Sequence, residues 1–553
     1  MDNNTILLVQ PPIQDYYLTR KRTIPYGLAS IAASAVEKGF QVKIIDALAS
    51  RKNRVIDLPK HFSHLIKYYL QSDLSLFGLF HQFYHFGYSW EHLGNLIRKE
   101  KPFLAGISCL FTAYADQTFQ TASLIRKIHK NCIIVVGGHH PTHFPEKVLE
   151  HNDIDFVLRG EAENSFTQLC TAIKHDRTVT GIPCIAFKNK DTVHINKPAW
   201  IQDLGELPVP AVELIDSTYY QRNKRHAITV VSSRGCPMPC SYCCVSRHSA
   251  YAGYRKRPTR DVIDEIKIQL DNSDIGFIDF EDENLCLDKD WFYDLFSELK
   301  PVLKNRQTEL RAMNGLFPGS LSPDVILMLK QTGFRTLNLS LGSFDPNQLA
   351  RFKRPDIRMH FESALETAAD LGLNTVTYIL AAAPGQDAVS SLNDLLYLMT
   401  KQTLIGLSIF YPAPGSLDYS TCMTNNLLPD NFSLMRSSAL PVEDKTSRLE
   451  AITLLRLARL INFMKFLIDT SGRIPPSKKI SNGSILKTIP NREEISIQLL
   501  QAFLSDGKIR GITKKGELYT HHCDDKLVSI FLDKISSLHI AGAVSDSCLC
   551  SST

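Results

Sequence analysis

Residues 234–257 read RGCPMPCSYCCVSRHSAYAGYRKR. Four cysteines fall within nine residues, and three of them, Cys236, Cys240 and Cys243, are spaced C-x3-C-x2-C with Cys244 directly adjacent. Thiolates are soft ligands that suit zinc or an iron–sulfur centre. A structural zinc site closes at four ligands, usually as two C-x2-C pairs. Here three cysteines sit in one stretch and no second such pair lies elsewhere. Three thiolates can hold three irons of a four-iron cluster and leave the fourth iron open to chelate a substrate or cofactor.

The surrounding chain sets the context. Its 553 residues are too many for one core, so several domains are expected. A net charge of +5 over 62 basic and 57 acidic residues is too weak to imply nucleic acid. No apolar run reaches the roughly 18 residues a membrane span needs. The opening MDNNTILLVQPP lacks a basic n-region and reads as a first strand rather than a signal peptide. Thirteen unevenly placed cysteines do not form a disulfide framework, which points to a reducing, cytoplasmic compartment and favours a metal site for the cluster of thiols.

Strands and helices alternate from residue 5 onward: TILLVQPP, YGLASIAASAVEKG with Gly39 closing the helix, FQVKIIDAL, FLAGISCL, NCIIVVGG and DFVLRGEAENSF. This rhythm reads as a doubly wound α/β sheet, in which ligands sit beyond the C-terminal strand ends. Those ends carry Gln10, Pro11, Pro12, Asp46, Ser108, Gly137, Gly138, Arg159, Gly160 and Glu161. The aromatic and histidine-rich residues 77–90 read as an apolar flap packed on this first domain. A polar, proline-containing stretch follows, and then six more βα units, which suggest an open, partial (β/α) barrel with its chemistry at the C-terminal strand ends. Residues 447–468 read as a long amphipathic helix that opens a mainly helical C-terminal domain. The expected boundaries are 1–190, a linker at 191–225, the barrel at 226–430 and the cap at 431–553.

CPMPCSYC, the C-x3-C-x-aromatic-C motif, resembles the hallmark of the radical S-adenosylmethionine (SAM) superfamily. The resemblance implies that Cys236, Cys240 and Cys243 ligate a [4Fe-4S] cluster, with Tyr242 near the adenine of SAM. Cys244 departs from the bare motif and reads as a neighbouring thiol rather than a ligand. IDFEDENL resembles the acidic motif of the second barrel strand, which would set Asp282 and Glu283 at the methionyl amine, where a carboxylate meets an ammonium. RAMNG offers Asn314. LSLGSFDPNQLARFKRP resembles the fourth-strand stretch and retains Ser343, but Gly342 stands where the family usually has glutamate; Lys353 and Arg354 follow as candidates for the cofactor carboxylate. AAAPGQ resembles the Gly-Pro-Gly-Glu loop, with Gln386 replacing the acid and Pro384 and Gly385 near the adenine. YPAPGS resembles the sixth-strand turn.

The first domain is similar to the Rossmann-like cobalamin-binding domain that precedes the barrel in one subclass. PPIQDYY, PYGLASIAASAVEKGFQVKIIDA, GISC, VVGGHHPTHFPE and LRGEAENSF carry the likeness, and Pro12, Ser108, Gly137, Gly138, Arg159, Gly160 and Glu161 are its expected cobalamin contacts. The D-x-H-x-x-G motif for a lower cobalt ligand is absent, since Leu48 and Arg51 stand where histidine and glycine would be. His139 and His140 read as pocket-wall residues.

The resemblance implies a cobalamin-dependent radical SAM enzyme. Such an enzyme cleaves SAM reductively to a 5′-deoxyadenosyl radical and most often methylates an unactivated carbon, or a phosphinate phosphorus, of a small molecule. An external donor of flavodoxin or ferredoxin type supplies the electron. The alternatives are a cyclase or oxidoreductase with the same cofactors and, from another class, a non-catalytic cobalamin or cluster sensor. Cys548 and Cys550, near the C-terminus, read as a thiol pair or as tail composition.

Overall fold

The computed structural model describes residues 4–19, 23–69, 71–190, 192–245, 252–479 and 491–543. The chain divides into two compact units. The first comprises residues 1–56, 83–237 and 244–310, and the second residues 57–82, 238–243 and 311–553.

The first unit is built on a seven-stranded sheet in the order Thr192–Ile195, Ile185–Asn189, Phe156–Leu158, Ile133–Gly137, Leu104–Ser108, Thr5–Gln10, Gln41–Asp46. The last five of these are mutually parallel, and Thr5 lies opposite Gln41. Their sequences are almost uninterruptedly apolar because both faces of the sheet are covered. Successive residues point to opposite faces. Ile6, Leu8 and Val135 pack with Leu28 and Ala32 of the helix Tyr26–Glu37 and with Phe166 and Leu169 of Glu163–Lys174. Leu7, Val9, Ile134 and Val136 pack the other way, against Leu93 and Ile97 of Trp90–Lys99 and Ala122 and Ile125 of Ala115–Ile128.

Gly39 ends the first helix as its position suggested. It adopts φ +83° and donates to Val36 O, and Phe40 N–H reaches back to Ala35 O at 3.1 Å. The stretch 191–225 is not all connector: Thr192–Ile195 pairs antiparallel with Ile185–Asn189 through a turn in which Lys190 takes φ +52°. A second sheet of this unit runs Gln221–Arg222, Arg225–Val230, Ile275–Phe280, Glu309–Arg311, with the helices Thr259–Asn272 and Lys289–Leu303 between its strands.

The second unit continues the βα rhythm. Thr336–Gly342, Asn374–Ala381 and Leu404–Ile409 are parallel, with Leu316 bridged to Leu339. Pro323–Thr332, Arg358–Asp370 and Ala388–Met399 are the accompanying helices. The long helix runs from Arg448 to Ser471, and Ser447 and Glu450 form a reciprocal capping box at its start. Arg492–Asp506, a short hairpin and Asp525–Ile535 complete the mainly helical C-terminal region.

Residues 57–82 join this C-terminal region. Phe77 packs on Phe463 at 5.7 Å, Arg456 donates to Tyr68 O, Leu74 N–H to Ile512 O, and His521 pairs with Asp73 at 3.0 Å. The flap expected over 77–90 is therefore split. Its first part packs within the second unit, and Phe83–Phe86 is a strand between Ile13–Asp15 and Asn53–Ile56 in the first. Alternating large apolar side chains served two destinations, which a single run of aromatics does not distinguish.

Candidate functional site

In the first unit, the strand Arg225–Val230 delivers the chain to Ser232 and Ser233, just before Cys236. Both serine hydroxyls donate to Asp282 Oδ1, at 2.7 and 2.5 Å, and Ser232 N–H adds a third bond. Asp282 is buried, and burial pushes its carboxyl up despite these donors. Beside it, Glu283 accepts from Gly235 N–H at 3.2 Å. Glu283 itself keeps contact with solvent, but desolvation of its carboxyl by the surrounding protein, and then the charge of Asp282, raise it to about 7. Cys236 and Cys244 are half-buried.

In the second unit, Cys240 is buried and Cys243 half-buried. Between them, Ser241 is fixed by its N–H to Phe352 O and by its hydroxyl to Asp418. Tyr242 sets its ring edge-on to Phe352 at 4.9 Å. Arg354 ties these parts together. Its Nη1 donates to the Tyr242 hydroxyl at 2.9 Å and lies 3.5 Å from Cys240 Sγ, and its Nη2 donates to Ser340 O at 2.7 Å. Gly342 gives this guanidinium its space. At φ +91° it carries no Cβ, and one placed there would sit 3.3 Å from Arg354 Cδ.

The other expected SAM contacts fall as follows. Asn314 is exposed on the turn before Gly315. Ser343 is fully buried and donates to Asp394, whose carboxyl burial raises to about 6. The loop at Pro384 and Gly385 is held by Arg351, which donates to both carbonyls, and by Asp444, which accepts from Gly385 N–H. Gln386 stands where an acid was expected, and its amide does what a carboxylate cannot: it accepts from Ala383 N–H and donates to Leu380 O. Arg351, Asp418 and Asp444 had no motif to announce them.

At the carboxyl edge of the seven-stranded sheet, Pro12 is buried and Ser108 half-buried. Gly138 takes φ +122°, and a Cβ there would stand 2.6 Å from Cys109 O, so its glycine serves the close approach of two loops. Arg159 donates to Thr142 O and Asn196 O, and Gly160 N–H donates to Thr142 Oγ1. Glu161 is ion-paired with Arg255. His140 is buried beside Thr112, and burial lowers its imidazole to about 4. Asp46, at another strand end, is bonded by Tyr220, Gln10 and Leu48, with its carboxyl raised by burial to about 6. Cys548 and Cys550 lie outside the described residues.

Two domain-family models match the chain: the B12 binding domain over residues 75–170 and the Radical SAM superfamily over residues 230–389. The chain thus carries a B12-binding domain and, after it, a radical SAM domain. Among curated relatives, the chain is 27% identical to an uncharacterized methyltransferase of Pyrococcus horikoshii, over 76% of this chain and 84% of that one. It is 27% identical to an anaerobic magnesium-protoporphyrin IX monomethyl ester cyclase of Rubrivivax gelatinosus, over 56% of this chain and 51% of the cyclase. In fold it is similar to the radical SAM methyltransferase TsrM of Kitasatospora setae, whose structure holds cobalamin and a [4Fe-4S] cluster: the TM-score is 0.58 at 16% identity, over 76% of this chain and 75% of that one.

The residues present fit the implied cofactors. Three thiols of one segment suit a cluster in which each binds a different iron. Among the described residues no three His, Cys, Asp or Glu side chains are gathered around a single-ion position. For the corrinoid, Tyr17, Leu110 and Phe111 are 52%, 57% and 53% exposed on the segments that follow the neighbouring strands Thr5–Gln10 and Leu104–Ser108. Tyr114 joins those segments through its hydroxyl bond to Asp15. Large apolar side chains left in solvent at the ligand edge of an α/β sheet are a surface for a broad, flat ligand.

Proposed function

We propose that this protein is a cobalamin-dependent radical SAM methyltransferase acting on a small molecule. The observation that carries the reading is the thiol segment Cys236–Cys240–Cys243, lying within the radical SAM match of a chain that also matches a B12 binding domain. When bound, the cluster supplies the electron that cleaves SAM, and cobalamin carries the methyl group. The chain's part is to bind, orient and exclude water. Cys236, Cys240 and Cys243 would ligate the cluster. Glu283, whose carboxylate stands at the solvent side of the buried Asp282, would face the SAM ammonium, with Asp282 fixing the base of its loop. Tyr242, held by Arg354, and the Pro384–Gly385 backbone, held by Arg351 and Asp444, would form the adenine side. Tyr17, Leu110 and Phe111 would support the corrin.

The electron would come from a flavodoxin- or ferredoxin-type donor, and the abundance of reduced thiols suits the cytoplasm. No described helix is long and apolar enough to cross a membrane.

Anaerobic reconstitution with iron, sulfide and hydroxocobalamin, followed by incubation with SAM and a strong reductant, tests the reading. Bound cluster and cobalamin, 5′-deoxyadenosine and S-adenosylhomocysteine support methyl transfer. The similarity to the Rubrivivax cyclase favours one second reading, a cyclase or oxidoreductase. That reading takes over if 5′-deoxyadenosine forms without S-adenosylhomocysteine. Absence of any cluster sinks both.

A further inference from the structure

Cys236 follows a two-residue strand, Ser233–Arg234, paired antiparallel with Arg255–Lys256. This stem brackets the cysteine segment in sequence, and its register sets Arg234 opposite Arg255. Two guanidinium groups side by side repel unless acids neutralise them. The acids come from the segment after the strand Phe156–Leu158, at the carboxyl edge of the seven-stranded sheet. Arg255 grips both oxygens of Glu161, at 2.8 and 2.9 Å. Arg234 reaches Glu163 at 2.6 Å and Glu161 at 3.5 Å. The side chains of Glu161, Glu163 and Arg255 are 12%, 7% and 9% exposed, so the pairs are little screened. Just past the stem, Arg257 donates to Glu265 and to the hydroxyl of Tyr26, the residue that opens the first helix of the same sheet domain.

The Glu161 carboxylate is filled by these bonds. Arg255 takes one place on each oxygen, Arg234 lies against Oε1, and Ile201 N–H donates to Oε2 at 2.9 Å. A carboxylate so engaged has little left for a corrinoid side chain.

We propose that Glu161 and Glu163 are positioning residues for the cysteine segment, clamping its stem through Arg255 and Arg234, rather than contacts to the corrinoid. This rests on the reading of the segment as a cluster site. It makes the ligand edge of the B12-binding domain the part that fixes where the cluster loop begins.

The test uses the full chain as Glu161→Gln, which keeps the shape and removes the charge, with Glu163→Gln as a second variant. Three readouts are compared with wild type: hydroxocobalamin affinity by absorbance titration, the electron paramagnetic resonance line shape of the reduced cluster with and without SAM, and the alkylation rate of Cys236 in the apoprotein by mass spectrometry. The expected result is cobalamin affinity within about twofold, an altered cluster line shape, and Cys236 alkylation faster by about tenfold, since breaking a buried ion pair loosens what it held. Exchanging the charges, Glu161→Arg with Arg255→Glu, is expected to restore the slow alkylation. A roughly tenfold or larger loss of cobalamin affinity with unchanged cluster and alkylation overturns the proposal. So does wild-type behaviour in all three readouts. If the wild-type chain takes up no cluster, the functional reading fails, and the alkylation rates still decide the clamp.

Discussion

Arg354 donates to Cys240, Nη1 to Sγ over 3.5 Å, while the same nitrogen holds the Tyr242 hydroxyl. A cation beside a thiolate stabilises its negative charge, and hydrogen bonds to cluster sulfurs set the reduction potential. Arg354→Met is therefore expected to shift the cluster to a more negative midpoint and to cost about 10–100-fold in SAM cleavage. Arg354→Lys keeps the charge but loses the fork that also reaches Ser340 O, and should recover only part of the loss. Redox titration followed by electron paramagnetic resonance checks both variants.

The cysteines should separate cleanly. Cys240→Ala is expected to abolish the cluster and 5′-deoxyadenosine formation, whereas Cys244→Ala should keep about four irons per chain. Iron and sulfide analysis after reconstitution decides. Loss of the cluster in Cys244→Ala would place that thiol among the ligands.

Glu283 gives a pH dependence. Its carboxyl is raised to about 7 by desolvation from the surrounding protein and by Asp282, so in the free protein it is largely protonated below that pH. Ionisation through pH 7 creates the charge that meets an ammonium, so SAM affinity should rise between about pH 6 and 8. Glu283→Gln should flatten that rise and weaken binding about tenfold at pH 8. The sign for stability is opposite. The folded chain holds a proton that the unfolded chain releases near 4.5, so stability falls as pH rises from about 4.5 to 7. Calorimetric titration with SAM and thermal unfolding across the same buffers measure the two trends.

Lys465, in the long helix Arg448–Ser471, is fully buried and donates to the carbonyls of Met399, Lys401 and Ala541. Two of these close the C-terminal end of the helix Ala388–Met399, where orphan carbonyls and the helix dipole favour a cation. Lys465→Met leaves the buried Met399 carbonyl and two half-buried ones without this donor and should destabilise the chain by about 1–3 kcal/mol. Denaturant melts checked by circular dichroism would show it.

Much of this architecture is legible in local pattern. The spacing of Cys236, Cys240 and Cys243, the βα rhythm, Gly39 at a helix end and the Ser447 cap all lie within a few residues of the signals that announce them. What escaped reading is long-range. Arg351 and Asp444 hold the Pro384–Gly385 loop from 33 and 59 residues away, and a lone arginine or aspartate carries no mark of its partner. Glu161 was legible as a residue at a ligand edge but not as an ion pair with Arg255, 94 residues on. Residues 57–82 read as part of the first domain because they follow it in sequence. Their bonds to the C-terminal region span more than 370 residues.

That last feature bears on dissection and on the transplanting of parts. A fragment cut at residue 190 would inherit 57–82 without the helix that Phe77 meets and without the His521 that Asp73 binds. Its orphaned limb would expose aromatic surface and a buried acid at once, and the fragment is expected to aggregate. Replacing 57–82 with a short glycine–serine bridge between Ile56 and Phe83 should yield a soluble corrinoid-binding piece. The remaining barrel should tolerate separation only when that limb is supplied in trans. The module that can be inherited or swapped is thus not a contiguous stretch of the gene.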